Sequence, residues 1–250
     1  MSDVEIVRDG AVLTIALRRT AKKNALTGAM YETMIAAFDE ADGDARIGAI
    51  VLRGADGVFT SGNDIGDFIA SAQTPDEMPA WRFVERLAAL ETPLIAAIEG
   101  LAIGIGTTLI LHCDLVYAAP DALFKMPFVD LGLVPEAGSS LLLPQRIGLA
   151  KASEFLMLGE SFDAAEAHRL GLVNSIVPNA DLYAHAAARA QALAAKPGAA
   201  VATTRRLLRG DLSALKARMN EEAQAFSQAL RSDEARQAFM QFMMRAKPKS

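Results

Sequence analysis

Phe59-Thr60-Ser61-Gly62-Asn63-Asp64 and Gly100-Leu101-Ala102-Ile103-Gly104-Ile105-Gly106 decide how this chain is read. Each stretch follows a short apolar run, residues 47–52 before the first and 93–98 before the second. Such runs, bounded by glycine or proline, read as strands buried on both faces. A glycine turn at the end of a buried strand leaves backbone N–H groups unpaired and facing a cleft. One such turn is common. Two, about forty residues apart in a strand–helix alternation, predict a pair of amides placed to hold a developing oxyanion. That is the equipment of an enzyme acting on a carbonyl group.

The rest of the chain extends this α/β pattern. Residues 5–7 and 12–17 read as a hairpin with Asp9-Gly10 as its two-residue turn. Thr27 is placed to cap a helix whose inner face carries Met30, Met34, Ile35 and Phe38. Residues 71–79 are polar, punctuated by proline, and expected to be mobile. Residues 107–112 predict a short helix that is apolar almost all round. Beyond Gly148 the pattern turns helical, with a break expected near Ser232-Asp233. The expectation is an α/β body followed by a helical C-terminal part.

Bulk properties exclude several classes. With 250 residues and 52% hydrophobic side chains, the chain has ample material for a core. Its net charge of −5 argues against nucleic acid as a partner. No apolar run reaches the roughly 18–20 residues of a membrane span. Cys113 is the one cysteine, and the first residues lack the pattern of a secretory signal. A cytoplasmic protein without membrane association is expected.

The backbone N–H groups of Asn63 and Ile105 are the candidate oxyanion donors, each directly following a glycine, Gly62 and Gly104. Ile105 would open the buried helix, where unpaired amides and the helix dipole favour negative charge. A dinucleotide-binding turn is the nearest competitor. It would need a third glycine at position 109, which is Leu109. His112, His168 and His185 make no metal-binding spacing, so no metal is expected. Cys113 reads as a core thiol, and Asp64 and Asp67 as turn or cap residues. Met240, Met243 and Met244 suit helix packing or the lining of an acyl chain.

Taken together, these motifs resemble the crotonase, or enoyl-CoA hydratase/isomerase, superfamily. The resemblance runs from Val4 to about Pro248. It rests on Asn24-Ala25-Leu26, Ser61-Gly62-x-Asp64, Pro93-x-Ile95-Ala96-Ala97-Ile98-x-Gly100, Gly104-x-Gly106, Cys113-Asp114, Gly132-Leu133-x-Pro135 and Gly171-Leu172-Val173. It implies a crotonase-like spiral of ββα units over residues 1–195. A helical region, 196–250, would serve for trimerisation or cover the active site. It implies an acyl-CoA thioester substrate, an enolate held at Asn63 and Ile105, no cofactor beyond the coenzyme A of the substrate, and a homotrimer or dimer of trimers. By the same resemblance Lys22 and Lys23 lie where cations meet the nucleotide phosphates, and Lys247 and Lys249 are further candidates. Ser61 and Asp64 match the turn that frames the adenine. Gly62, Ile65 and Gly104 complete the expected substrate contacts.

The reaction depends on carboxylates. Hydratases of this superfamily use two glutamates. At the matching positions this chain has Thr108 and Phe128. One carboxylate stands in a productive register: Glu136, in Leu133-Val134-Pro135-Glu136-Ala137-Gly138. Alone, a glutamate at a helix entry is explained by a local role at the helix N-terminus. With the resemblance, Glu136 matches the single acid/base of Δ3–Δ2-enoyl-CoA isomerases, and Asp130 is the second choice. Phe128, Leu131 and Val134 would line an apolar pocket that raises the Glu136 pKa. The expected activity is a double-bond shift from 3-enoyl-CoA to 2-enoyl-CoA. A hydratase or a catalytically idle acyl-CoA-binding relative is the alternative.

Overall fold

A computed structural model describes residues 2–71 and 78–246. Most of the segment read as mobile, and Lys247 and Lys249, lie outside the described residues.

Strands β1 (Val4–Asp9) and β2 (Val12–Leu17) form the expected antiparallel hairpin. Asp9 pairs with Val12, so the two-residue turn is Gly10-Ala11, one position later than read. Gly10 takes the left-handed φ of +58° that the first turn residue of such a hairpin needs. Helix α1 (Gly28–Gly43) starts at Thr27, whose hydroxyl accepts the Met30 N–H at 3.3 Å.

Three coils of a strand–strand–helix spiral follow. The first runs from β3 (Ala49–Arg53) through Phe59 and Thr60 to α2 (Ile65–Ser71). Helix α3 (Pro79–Ala89) then leads to the second: β4 (Leu94–Ile98), β5 (Leu101–Ile103) and α4 (Ile105–Thr108), continued by a 3-10 turn over Leu109–His112. The third is β6 (Leu115–Ala118), β7 (Leu123–Lys125) and a 3-10 turn over Val129–Leu131. Helices α5 (Ser139–Ile147) and α6 (Leu149–Met157) come next. Then follow β8 (Phe162–Asp163), α7 (Ala164–Arg169), β9 (Ser175–Ile176) and α8 (Asn179–Ala194).

Among the described residues β1-β2-β3-β4-β6-β9 make one sheet, parallel from β2 onward, and β5-β7-β8 a second. Alternation along β3 and β4 splits the core. Ile50, Leu52, Leu94, Ala96 and Ile98 face the large cluster with α1 and α3. Ala49, Val51, Ile95 and Ala97 face Leu182, Ala186 and Ala190 of α8. Strands covered on both faces are apolar almost throughout, with Arg53 at the end of β3 the exception here, which is why β3 and β4 were legible.

The C-terminal residues form α9 (Gly198–Arg209), α10 (Ser213–Leu230) and α11 (Asp233–Ala246). Helix α9 buries none of its side chains. It is tied down by Arg205, whose Nε lies 2.9 Å from both carboxylate oxygens of Asp114. Helix α10 packs on α5, and α11 on the Val129–Leu131 turn. Met240 and Met244 of α11 are exposed, and the Met243 side chain lies outside the described set.

Close approach of the two coils depends on Gly106. A Cβ there would sit 2.5 Å from Thr60 Cγ2, and Thr60 is fully buried with its hydroxyl engaged in two hydrogen bonds. The neighbour has no room to give. Gly106→Ala is therefore expected to destabilise the protein by about 1–3 kcal/mol, read as a Tm lowered by several degrees in thermal unfolding. An unchanged Tm would show that the coils can separate freely.

Candidate active site

The two glycine turns lie side by side because Thr60 and Ala102 form a parallel bridge. Thr60 N–H donates to Leu101 O at 2.8 Å, and Ile103 N–H donates to Thr60 O at 3.1 Å. The Thr60 hydroxyl donates to Asn24 O at 2.7 Å and accepts the Gly62 N–H at 3.1 Å. A third strand of chain zips alongside. Ser61 N–H donates to Lys23 O (3.0 Å), Leu26 N–H to Gly62 O (2.8 Å) and Asp64 N–H to Leu26 O (2.8 Å). Buried Asn24, in the left-handed region at φ 54°, holds this zip in register by donating Nδ2–H to Val58 O at 2.7 Å.

Two backbone donors are left over. The N–H groups of Asn63 and Ile105 have no acceptor among the described residues. Gly62 is required here: its φ is +90°, and a Cβ would meet Ile103 O at 2.9 Å. Ile105 is the first residue of α4, where an N–H has no partner within the helix.

Glu136 is buried beside this frame, 5% exposed, and its Oε1 accepts a short hydrogen bond from the Thr108 hydroxyl. Thr108 stands three residues after Ile105 on α4, about 4.5 Å along the axis. One helical turn thus carries both an unpaired amide and the hydroxyl that holds the carboxyl group. Burial pushes the Glu136 pKa from its ordinary 4.5 up to about 8. The Thr108 hydrogen bond pulls it down, and the negative charge of Glu222 on α10 pushes it further up.

The turn around Glu136 is unusual. Ala137 has φ +58°, a left-handed conformation that costs a non-glycine residue about 1–2 kcal/mol. Buried His112 holds it, with Nε2 lying 2.8 Å from Ala137 O. Desolvation lowers the His112 pKa to about 4, so the ring is neutral at pH 7 and Nε2 carries the donated proton. Ser139 Oγ–H donates to Glu136 O at 2.6 Å. From α10, Glu222 accepts the N–H groups of Gly138 (2.6 Å) and Ser140 (2.9 Å).

The other expected residues divide. Lys22 and Lys23 are exposed on the edge that zips to Ser61, whose hydroxyl lies 3.4 Å from Lys22 O. Phe128 is buried, and Ile65, Leu131 and Val134 are half-buried against the core. Asp64 is engaged structurally: its carboxylate takes Arg19 at 2.8 Å and the Asp67 N–H at 3.1 Å, which lowers its pKa. Asp130 faces outward and pairs with Lys125 at 3.0 Å, so it is no alternative to Glu136. Burial pushes the Cys113 thiol up to about 12, leaving it inert. No cluster of three or more metal-binding side chains occurs among the described residues. A groove of about 610 Å³ lies at the α8–α9 connection; of its carboxylates, Asp42 and Asp44 are already paired with arginines and Glu91 is exposed.

Three participants were missed in the sequence: Tyr31, His112 and Glu222. The Tyr31 hydroxyl donates to Asn63 Oδ1 at 2.5 Å, fixing the side chain of one amide donor. Tyr31 lies at helical spacing beside Met30 and Met34, which was a usable signal. Glu222 follows Glu221 on a helix, and nothing local marks it as buried.

The buried carboxyl group makes stability pH-dependent. Below about pH 4.5 folded and unfolded chains both hold this proton. Between 4.5 and 8 the unfolded chain releases it while the folded one retains it, so ionisation favours unfolding by about 1.4 kcal/mol per pH unit. Glu136→Gln, the neutral isostere, should match the parent protein at pH 4.5 and exceed it by a few kcal/mol near pH 8. Denaturant titrations at the two pH values check this. A gap that stays constant with pH would contradict it.

Comparison with known proteins agrees with this geometry. Residues 8–249 match the family model described as Enoyl-CoA hydratase/isomerase. A Rhodobacter capsulatus protein named Probable enoyl-CoA hydratase is 36% identical over 98% of this chain and 95% of its own length. The Enoyl-CoA delta isomerase 2 of Rattus norvegicus is 33% identical over 98% of this chain, which spans 64% of that protein. The solved structure of Pseudomonas aeruginosa OdaA superposes with a TM-score of 0.94 at 42% identity, covering 97% of this chain and 99% of that one.

Proposed function

This chain belongs to the enoyl-CoA hydratase/isomerase family, and within that family we propose that it shifts a double bond, converting 3-enoyl-CoA to 2-enoyl-CoA with Glu136 as the single acid/base. The observation that carries the proposal is the site of Glu136: a buried carboxyl group with a pKa of about 8, held by the same turn of α4 whose first N–H is free.

The thioester oxygen accepts the N–H groups of Asn63 and Ile105. The Glu136 carboxylate removes a proton from C2. The electron pair moves into the thioester, giving a dienolate whose negative oxygen the two amides hold. Glu136, now neutral, returns the proton to C4. The C3–C4 double bond becomes a C2–C3 double bond, and the carboxylate is regenerated. A raised pKa suits both steps, since it strengthens the base and keeps its conjugate acid stable away from water.

Thr108 has a part in this. It occupies the position where, by the resemblance, hydratases carry their first glutamate. Here that position supplies a hydroxyl to the acid/base rather than a second carboxylate. Phe128 fills the other position with an apolar ring. Among the described residues the other buried carboxylate at the turn, Glu222, has both oxygens occupied by backbone donors. The rat relative's name supports an isomerase reading, while the Rhodobacter relative's name is that of a hydratase. Lys22 and Lys23 are proposed to meet the nucleotide phosphates, and the working form is proposed to be a trimer or dimer of trimers.

Purified protein supplied separately with 3-enoyl-CoA and 2-enoyl-CoA tests the reading, following conjugation and hydration. Glu136→Gln should lower isomerisation by about 10²–10⁴-fold with acyl-CoA binding retained. Undiminished turnover in that variant would sink the assignment. Binding without turnover of either compound would mark a binding protein, and hydration alone a hydratase. The kcat/KM of the parent enzyme should rise with pH and level off near 8. In Thr108→Val, losing the hydrogen bond that lowers the Glu136 pKa should move that limb to higher pH; a limb that stays in place would remove Thr108 from the account.

A further inference from the structure

We propose that Glu222 is a positioning residue for the acid/base, clamping the Glu136 turn to the C-terminal helix and using its own charge to set how readily Glu136 holds a proton. This rests on the reading of Glu136 given above and extends it to a residue 86 positions away in sequence.

The geometry is specific. Glu222 is 6% exposed on the inner face of α10. Its two oxygens each take one backbone N–H, from Gly138 at 2.6 Å and from Ser140 at 2.9 Å. These flank Ser139, the first residue of α5, so the carboxylate sits where the dipole of that helix favours a negative charge. Gly138 leaves no space between turn and helix: a Cβ there would lie 2.3 Å from Leu215 Cδ1 of α10. Burial raises the Glu222 pKa above its ordinary value, and the hydrogen bonds from Ser140 and Gly138 at the helix N-terminus oppose that rise and favour its ionised form.

A buried charge so close to a second carboxyl group cannot be neutral in its effect. Like charges in a low-dielectric site resist joint ionisation. The charged and titratable groups facing the pair come from two other elements and from α10 itself. Tyr31 approaches from α1 and is itself held protonated by burial and by the Glu136 charge. His112 approaches from the 3-10 turn after α4 and is neutral. Arg218, one turn before Glu222 on α10, partly offsets its charge and lies 3.4 Å from Ser140 Oγ. None of these replaces the negative charge that Glu222 places beside the turn. A purely structural residue could be swapped for any well-packed hydrogen-bond acceptor without moving the titration of Glu136. A charge-setting residue could not.

The test titrates Glu136 directly. Protein labelled with 13C at glutamate side-chain carboxyls is followed by NMR against pH, and the Glu136 signal is the one absent from Glu136→Gln. In Glu222→Gln the Glu136 midpoint should fall by roughly one pH unit. In Glu222→Asp, which keeps the charge and shortens the reach, it should stay near the parent value while kcat falls. In the unmodified protein the Glu136 curve should also carry the step of Glu222, so the proposal remains testable if a variant fails to fold. A Glu136 midpoint unmoved in Glu222→Gln, equal shifts in both variants, or independent curves in the parent protein would each overturn it. The titration needs no turnover, so loss of the isomerase reading and loss of this inference are separate outcomes.

Discussion

Two backbone hydrogen bonds between Thr60 and the strand that begins at Leu101 carry the rest of this structure. They join successive coils of the spiral at the point where each strand has ended and each helix has yet to begin. In that gap the chain has used its glycines to turn, and one amide on each coil is left without a partner. The constraint is mutual. Gly106 must lack a side chain so that Thr60 can approach, and Thr60 must approach so that Asn63 and Ile105 lie together. The amide pair follows from how the coils stack, with no side chain supplying the donors.

Polar groups beneath the surface are arranged around this frame in an order that burial imposes. Several are matched to backbone partners: Asn24 Nδ2 to Val58 O, though its Oδ1 has no partner among the described residues, His112 to Ala137 O, and Glu222 to the N–H groups of Gly138 and Ser140. Such groups are costly when unpaired. Glu136 differs, having one hydroxyl and otherwise a low-dielectric surround, and it responds by retaining its proton. Structure thus separates two adjacent glutamates by what they accept. Glu222 takes two backbone amides, whereas Glu136 takes one hydroxyl.

Much of this could be read from the residues. Strands β3 and β4 announced themselves because both faces are covered, and the glycine turns because nothing else ends a buried strand so abruptly. Thr27 marked a helix start by offering a side-chain acceptor to the first turn. Other features left no local trace. Strands β8 and β9 are two residues long, too short for any period to show. The hairpin turn slipped by one because Asp9-Gly10 and Gly10-Ala11 are both acceptable turn chemistry, and only pairing along the whole of β1 and β2 selects between them. In the site, the amide donors and Glu136 were legible as motif positions. Tyr31 showed only in its helical spacing, and the partners of Tyr31, His112 and Glu222 were not legible, since each acts across 25 residues or more of intervening chain.

That last separation has a consequence for the history of each molecule. A chain emerging from the ribosome folds from its N-terminus. The glycine turns, the bridge at Thr60 and the loop bearing Glu136 are all in hand before α10 appears. Glu222 arrives 84 residues after the backbone group that it grips. Until then the loop at Ala137 must hold its left-handed form with His112 and Ser139, without α10. This turn therefore matures late, and a chain cut short before α10 would have the bridge at Thr60 and the buried Glu136 loop but not the grip of Glu222 on it.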